Sequence, residues 1–187
     1  MNEAPFRAAV LTISDSAAAG GRADLSGAAA VELLEALGGR VAHREVVPDE
    51  RALIGERLRY CADSLRVELV ITTGGTGLAA RDVTPEATRD VIEREAPGLS
   101  ELMRRETSRL TPLAALSRGI SGLRGATLIV NLPGSPKGVR QCLEVLAPVL
   151  RQGLKVLSGE IRQHDTGAGS PESEPPSALP PAGGDGA

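Results

Sequence analysis

Apolar residues in this chain fall into two alternating patterns, short continuous runs and helical stripes. Arg7–Ile13 (RAAVLTI) is a short apolar run bounded by polar residues and reads as a buried strand. Ala30, Leu33, Leu34 and Leu37 then mark one helical face, and Gly38-Gly39 ends that helix. Val41–Val47 reads as a second strand. Pro48-Asp49 opens a helix with Leu53, Ile54, Leu58, Cys61 and Leu65 on its apolar side. Val67–Thr72 reads as a third strand, followed directly by the glycine-rich segment Thr73–Gly77. A helix is predicted over Pro85–Glu95, with Thr84 as N-cap and Pro85 at its first position. Gly98–Ser108 and Pro112–Leu116 also read as helical, and Thr127–Asn131 as a further buried strand. Ser135 caps a last long helix running toward Leu157, which Pro148 is expected to kink or break.

Apolar strands each followed by a helix imply an α/β fold with a mainly parallel sheet covered on both faces. In such sheets ligands sit beyond the carboxyl ends of the strands. The informative loops are therefore Ser14-Asp15-Ser16, Pro48-Asp49, Thr73–Thr84 and Leu132–Lys137.

Composition narrows the ligand. Every Lys and Arg lies at or before Arg162, while Asp165, Glu172, Glu174 and Asp185 follow it. The body is thus near neutral, without the basic surface of a nucleic-acid binder. Phe6 and Tyr60 are the whole aromatic complement, which excludes stacking platforms for single strands. A bound flat ring would be held by backbone groups and aliphatic walls. Cys61 and Cys142 read as small buried hydrophobes, and His43 and His164 are isolated, with no metal role. No signal peptide or membrane span is read, so the expected location is the cytoplasm. Residues 1–162 form one domain. Residues 163–187, rich in Gly, Ser, Pro and acidic residues, are expected to be a disordered tail.

Thr73, Gly74, Gly75, Thr76 and Gly77 form the most informative loop. Glycines let the backbone turn sharply, and successive N–H groups can make an anion nest. The lysine of a Walker A loop is absent. A loose dinucleotide pattern is present, but Arg81-Asp82-Val83 intervenes before the helix cap, where a dinucleotide loop turns straight into its helix. Asp82 beside a phosphate nest would need a bridging cation, and Mg²⁺ suits that place. A salt bridge to Arg81 or an Asx-turn is the alternative. Asp49 could cap its helix, or share metal and general-base duties with Asp82. Lys137 opposes the helix dipole unless an anion binds there, and solvent exposure is its alternative. Ser14, Asp15 and Ser16 could bind a polar ring or phosphate, or cap the following loop.

Val70–Thr88 (VITTGGTGLAARDVTPEAT), Thr111-Pro112-Leu113 with Ala115–Arg118, Asn131–Gly138 (NLPGSPKG), Leu11–Ser16 (LTISDS) and Val47–Glu50 (VPDE) together resemble the molybdenum-cofactor biosynthesis domain, from about Arg7 to Ser158. The resemblance is greatest to the molybdopterin adenylyltransferases. It implies a three-layer α/β/α sandwich, a homotrimer, and Mg²⁺-dependent transfer of AMP from ATP to the terminal phosphate of molybdopterin. A molybdate-insertion enzyme would take the product. It implies catalytic, metal-binding roles for Asp49 and Asp82. It also implies substrate contacts by Ser14, Asp15, Thr73, Gly74, Gly75, Thr76, Gly77, Thr84, Pro133, Gly134, Ser135 and Lys137. The related MoaB branch carries a similar loop, so a non-catalytic molybdopterin-binding paralogue or scaffold is the alternative.

Overall fold

A computed structural model describes residues 6–159. The proposed tail 163–187, with His164, lies outside the described residues. The strands are β1 (Arg7–Ile13), β2 (Arg40–Val47), β3 (Leu69–Thr73), β4 (Arg94–Glu95), β5 (Ser121–Arg124) and β6 (Thr127–Leu132). The α-helices are α1 (Asp15–Ala18), α2 (Leu25–Ala36), α3 (Arg51–Arg59), α4 (Thr84–Arg89), α5 (Pro97–Ser108) and α6 (Pro136–Ser158). A π-helical turn, Tyr60–Ser64, extends α3, and Pro112–Leu116 is a 3₁₀ turn.

One six-stranded sheet has the order β2-β1-β3-β6-β5-β4. The β2, β1, β3 and β6 strands are mutually parallel, and β5 and β4 complete the sheet in antiparallel pairing. Alternation along the central strands divides the core in two. Ala8, Val10, Leu69, Ile71, Leu128, Val130 and Leu132 face α2, α5 and α6, meeting Leu34, Met103, Leu143 and Leu146. Ala9, Leu11, Ile13, Val70 and Ile129 face α3 and α4, meeting Ile54, Leu58, Ala87 and Val91. This is a three-layer α/β/α sandwich. Burying one such Leu or Ile contributes roughly 1.5–3 kcal/mol.

The order of the strands places the site. After β1 the chain returns to the sheet at β2 on one side, and after α3 it enters β3 on the other side of β1. The helices leaving β1 and β3 therefore pack on opposite faces, α2 on one and α4 on the other. A crevice opens between the carboxyl ends of β1 and β3, the switch point at which such sheets bind ligands.

Two expectations from the sequence are corrected, and two strands show features the sequence reading did not specify. The helix predicted over Pro85–Glu95 stops at Arg89, and Arg94–Glu95 instead pairs with β5. β5 went unpredicted because Ser121-Gly122-Leu123-Arg124 is short and half polar, a strand only because β6 and β4 flank it. β2, read from the sequence as a strand over Val41–Val47, is a sheet edge with alternating exposure. Finally, α6 runs unbroken through Pro148, whose ring lies on the exposed face. The amphipathic stripe Val139, Cys142, Leu143, Leu146, Leu150, Leu154 holds the helix against the sheet and offsets the hydrogen bond the proline removes.

Pro148→Ala should then raise stability. The helix-interior preference of about 3 kcal/mol is reduced by the ~0.4–1 kcal/mol of freedom returned to the unfolded chain. Urea unfolding of the variant checks this, with a gain of about 2–2.6 kcal/mol expected.

Candidate functional site

β3 ends at Thr73, and the loop after it is folded by its neighbours. Gly74 has φ 108° and Gly75 has φ 61°, both in the region that favours glycine. A Cβ on Gly74 would lie 2.1 Å from the Ile13 carbonyl oxygen, and one on Gly134 would lie 3.1 Å from Gly74 Cα. The ends of β1, β3 and β6 thus touch backbone to backbone. The Gly74 amide donates to Leu132 O (3.2 Å), and the Thr73 hydroxyl donates to Pro133 O (2.8 Å).

The loop carbonyls are all engaged on the side of α4. Thr84 Oγ1 donates to Gly74 O (2.9 Å) and the Thr84 amide to Gly75 O (3.1 Å). The Arg118 amide donates to Thr76 O (2.9 Å), and Arg118 Nε to Gly77 O (2.7 Å). Among the described residues, the amides of Gly75, Thr76, Gly77 and Leu78 have no partner. With its carbonyls anchored and its amides unpartnered, the loop has the geometry of an anion nest. Thr84 does not cap α4 as expected. It is fully buried, and its hydroxyl ties down the carbonyl that the turn at Gly74 would otherwise strand.

Two carboxylates stand beside this loop. A Cβ on Gly75 would fall 3.0 Å from Asp49 Oδ1, and one on Gly77 would fall 2.9 Å from Asp82 Oδ2. Asp82 Oδ2 accepts the Ala79 amide (2.8 Å), which closes the turn after the glycines. Asp82 does not pair with Arg81; that guanidinium reaches Asp15 instead (2.6 and 2.8 Å). Asp15 and Asp49 exchange bonds, each amide donating to the other's carboxylate at 3.0 Å. Asp49 is thus not the cap of α3, which starts after Glu50. The Arg81 guanidinium, with the Asp49 amide, holds the Asp15 carboxyl below its usual range. Burial, reinforced by the charges of Asp15 and Asp82, pushes Asp49 up.

Two cavities meet at the loop. One of about 390 Å³ is lined by Thr76, Gly77, Ser100, Met103, Arg104, Thr107, Leu113, Asn131, Pro133, Ser135 and Cys142, among others. The other, about 240 Å³, is lined by Ser14, Arg22, Asp24, Ser26, Asp49, Thr73 and Gly74, among others. Gly75, Asp82 and Gly134 belong to both and form the wall between them. With almost no aromatic residues, the larger cavity offers aliphatic and sulfur surfaces together with Arg104 and Asn131.

The sequence-predicted residues therefore sort into two groups. Asp49, Asp82, Ser14, Thr73, Gly74, Gly75, Thr76, Gly77, Pro133, Gly134 and Ser135 line a cavity. Ser14 also caps α1 by accepting the Ala17 amide, and Ser135 caps α6 by accepting the Gly138 amide. Asp15, Thr84 and Lys137 line neither cavity; Lys137 is exposed at the second position of α6. Sequence reasoning missed Asp24, which caps α2 and lines the smaller cavity. Burial opposes its charge, but Arg44, the Gly27 amide and Thr12 together hold its carboxyl below the usual range. Its signal was visible as Asp-Leu-Ser-Gly before an apolar stripe. Cys61 and Cys142 are buried, with thiols pushed up to about 12 and about 11 by desolvation, and His43 is held by Glu45. Among the described residues, no group of three or more His, Cys, Asp or Glu is placed to hold a metal ion, and no helix is long and apolar enough to cross a membrane.

Comparison with known proteins identifies the family. A family described as a probable molybdopterin binding domain matches residues 9–152. A molybdopterin adenylyltransferase of Helicobacter pylori (strain J99) is 44% identical over 82% of this chain and 89% of its own length. Among solved structures, the molybdopterin biosynthesis enzyme MoaB of Thermus thermophilus is 52% identical, with TM-score 0.79 over 82% of this chain and 97% of that one. The molybdopterin biosynthesis Mog protein of Mycobacterium ulcerans is 41% identical, with TM-score 0.76 over 81% and 99%.

The raised Asp49 carboxyl carries a stability consequence. Its carboxylate is less favourable in the folded than in the unfolded state, so the cost is present at neutral pH and vanishes once both states are protonated. Asp49→Asn should raise the thermal midpoint at pH 7, and the gain should shrink as pH falls through the Asp49 range. Melts from about pH 7 to about pH 3 check this. Arg81→Gln should push the Asp49 titration higher still, read by carboxyl-carbon NMR.

Proposed function

The chain belongs to the probable molybdopterin binding domain family, and on that footing we propose that it is a molybdopterin adenylyltransferase of molybdenum cofactor biosynthesis. The observation that carries this reading is the shared wall of Gly75, Asp82 and Gly134, with free amides and two carboxylates beside it. Two adjoining cavities suit two substrates whose phosphates must meet.

In the proposed reaction a terminal phosphate oxygen of molybdopterin attacks the α-phosphorus of ATP. The bond to the β-phosphate breaks, and pyrophosphate leaves. Such a transfer depends on positioning and charge neutralisation. The free amides of Gly75, Thr76, Gly77 and Leu78 would receive phosphate oxygens. Gly134 lets the α6 N-terminus approach the same place, where Ser135 takes up the Gly138 amide. Lys137 adds positive charge at that helix end. Arg81 and the Asp15 amide fix the loop that presents Asp49.

Asp49 and Asp82 fit Mg²⁺, a cation commonly held by one or two carboxylates plus phosphate oxygens and water. Both reach the glycine loop, and because no group of three or more His, Cys, Asp or Glu among the described residues is placed to hold a metal ion, the ion would arrive with the substrate phosphates. When bound, the ion supplies neutralisation of phosphate charge. We further propose a cytoplasmic homotrimer whose product passes to a molybdate-insertion enzyme. The exposed leucines Leu110, Leu113 and Leu116 support self-association.

A second reading is a molybdopterin-binding paralogue without turnover, supported by the likeness to a MoaB protein. Incubation with molybdopterin, ATP and Mg²⁺ separates the two, by chromatography of the pterin. Adenylylated pterin is expected, and Asp82→Asn should lower its rate by about 100-fold or more with folding intact. Molybdopterin binding without product would establish the second reading. Light scattering should give a mass three times that of the chain.

A further inference from the structure

The unpartnered amides are confined to one side of the loop because its carbonyls are held on the other. A trans peptide plane points its N–H opposite to its C=O. Anchoring the carbonyl of one residue therefore aims the amide of the next. Thr84 anchors Gly74 O and Gly75 O, which aims the amides of Gly75 and Thr76. The Arg118 backbone anchors Thr76 O, which aims the Gly77 amide. The Arg118 side chain anchors Gly77 O through Nε, which aims the amide of Leu78.

Arg118 does more than close one plane. Its Nη2 donates to the Asp82 carbonyl, so one guanidinium spans the loop from the last glycine to the acidic residue. Glu86 on α4 grips the guanidinium through Nη1 and Nη2. Arg118 lines neither of the two cavities, so it acts from behind the loop. A lysine could replace the charge but not the fork that reaches both carbonyls at once.

We propose that Arg118, held by Glu86, is the positioning residue that fixes the polarity of the glycine loop for phosphate binding. This deepens the functional reading above and rests on it only for the identity of the substrates. Without the guanidinium, the Gly77–Leu78 plane is free to rotate and present a carbonyl oxygen to the phosphate. The Asp82 carbonyl also loses its donor.

The test uses the full chain and inorganic pyrophosphate as probe, by titration calorimetry, alongside the adenylylation assay. Arg118→Gln should weaken pyrophosphate binding about ten-fold, a single charge-assisted bond's worth. Arg118→Lys should recover only part of that, and methylguanidinium should restore binding to Arg118→Ala. Glu86→Gln should give a smaller loss of the same kind. In the adenylylation assay Arg118→Gln should raise KM for ATP and lower kcat together. Wild-type pyrophosphate affinity in a folded Arg118→Gln, or no methylguanidinium rescue of folded Arg118→Ala, overturns the proposal. If Arg118→Gln fails to fold, the Arg118→Lys and Glu86→Gln titrations decide, and unchanged affinity in both overturns it. Absence of pyrophosphate binding by the wild type also overturns it. Pyrophosphate binding that depends on Arg118, with no adenylylated pterin formed by the wild type, upholds this inference and removes the functional reading instead.

Discussion

Three strand ends touch here without side chains between them, and the site follows from that contact. Gly74 sits against the Ile13 carbonyl and Gly134 sits against Gly74. A β-carbon at the first place would collide with backbone, and one at the second would press the two loops apart. Because the backbones of β1, β3 and β6 can converge, the loops leaving them share one small volume. The parallel sheet supplies the alignment, since its three central strands run in the same direction and in register. The switch in strand order at β1 supplies the opening, because the departing helices diverge to opposite faces.

At the glycine loop itself the positive side comes from the backbone, with Arg22 and Arg104 on the cavity walls. Free amides at the glycine loop present partial positive charge, while Asp15, Asp49 and Asp82 bring negative charge close by. Only Asp15 is neutralised directly, by Arg81. Asp49 is left partly desolvated and repelled, an arrangement that costs stability and keeps a carboxylate available. Structural ion pairs elsewhere, such as Arg51 with Asp90 and Arg124 with Asp63, lie on the surface and contribute little. The unusual charge arrangement is thus confined to the place where a phosphate-bearing ligand with its cation would relieve it.

The division into two cavities by a backbone wall also bears on specificity. Aromatic stacking is unavailable, so recognition of a flat ring falls to shape and to a few polar groups. Arg104 is oriented by the carbonyls of Ser117 and Gly119, and Asn131 by the hydroxyls of Thr72 and Thr88. Their orientation is set before any ligand arrives, which lowers the cost of ordering them on binding.

Much of this was legible in the sequence. Continuous apolar runs marked β1, β3 and β6 as buried strands, because a strand covered on both faces leaves no polar position. Apolar helical faces located α2 and α3, the Ser135 cap located α6, and the four loops leaving the strands, singled out from the sequence, meet around the two cavities. Asp82 and Asp49 were candidates from the chemistry of their loops, and motif resemblance gave them catalytic roles. What the sequence could not supply was partnership across distance. Thr84 has the local signature of a cap, yet its hydroxyl goes to Gly74, because burial of that carbonyl is the larger demand. Arg81 neighbours Asp82 in the chain but pairs with Asp15, across 66 positions, because the loop turns the two side chains apart. Pro148 carries a strong local break signal that the packed stripe of α6 overrides. β4 and β5 exist only because β6 offers an edge. Local propensity and periodicity thus determined which segments are strands, helices and turns, and tertiary structure alone decided which polar group satisfies which, since hydrogen bonding inside a fold is settled by proximity in space and not along the chain.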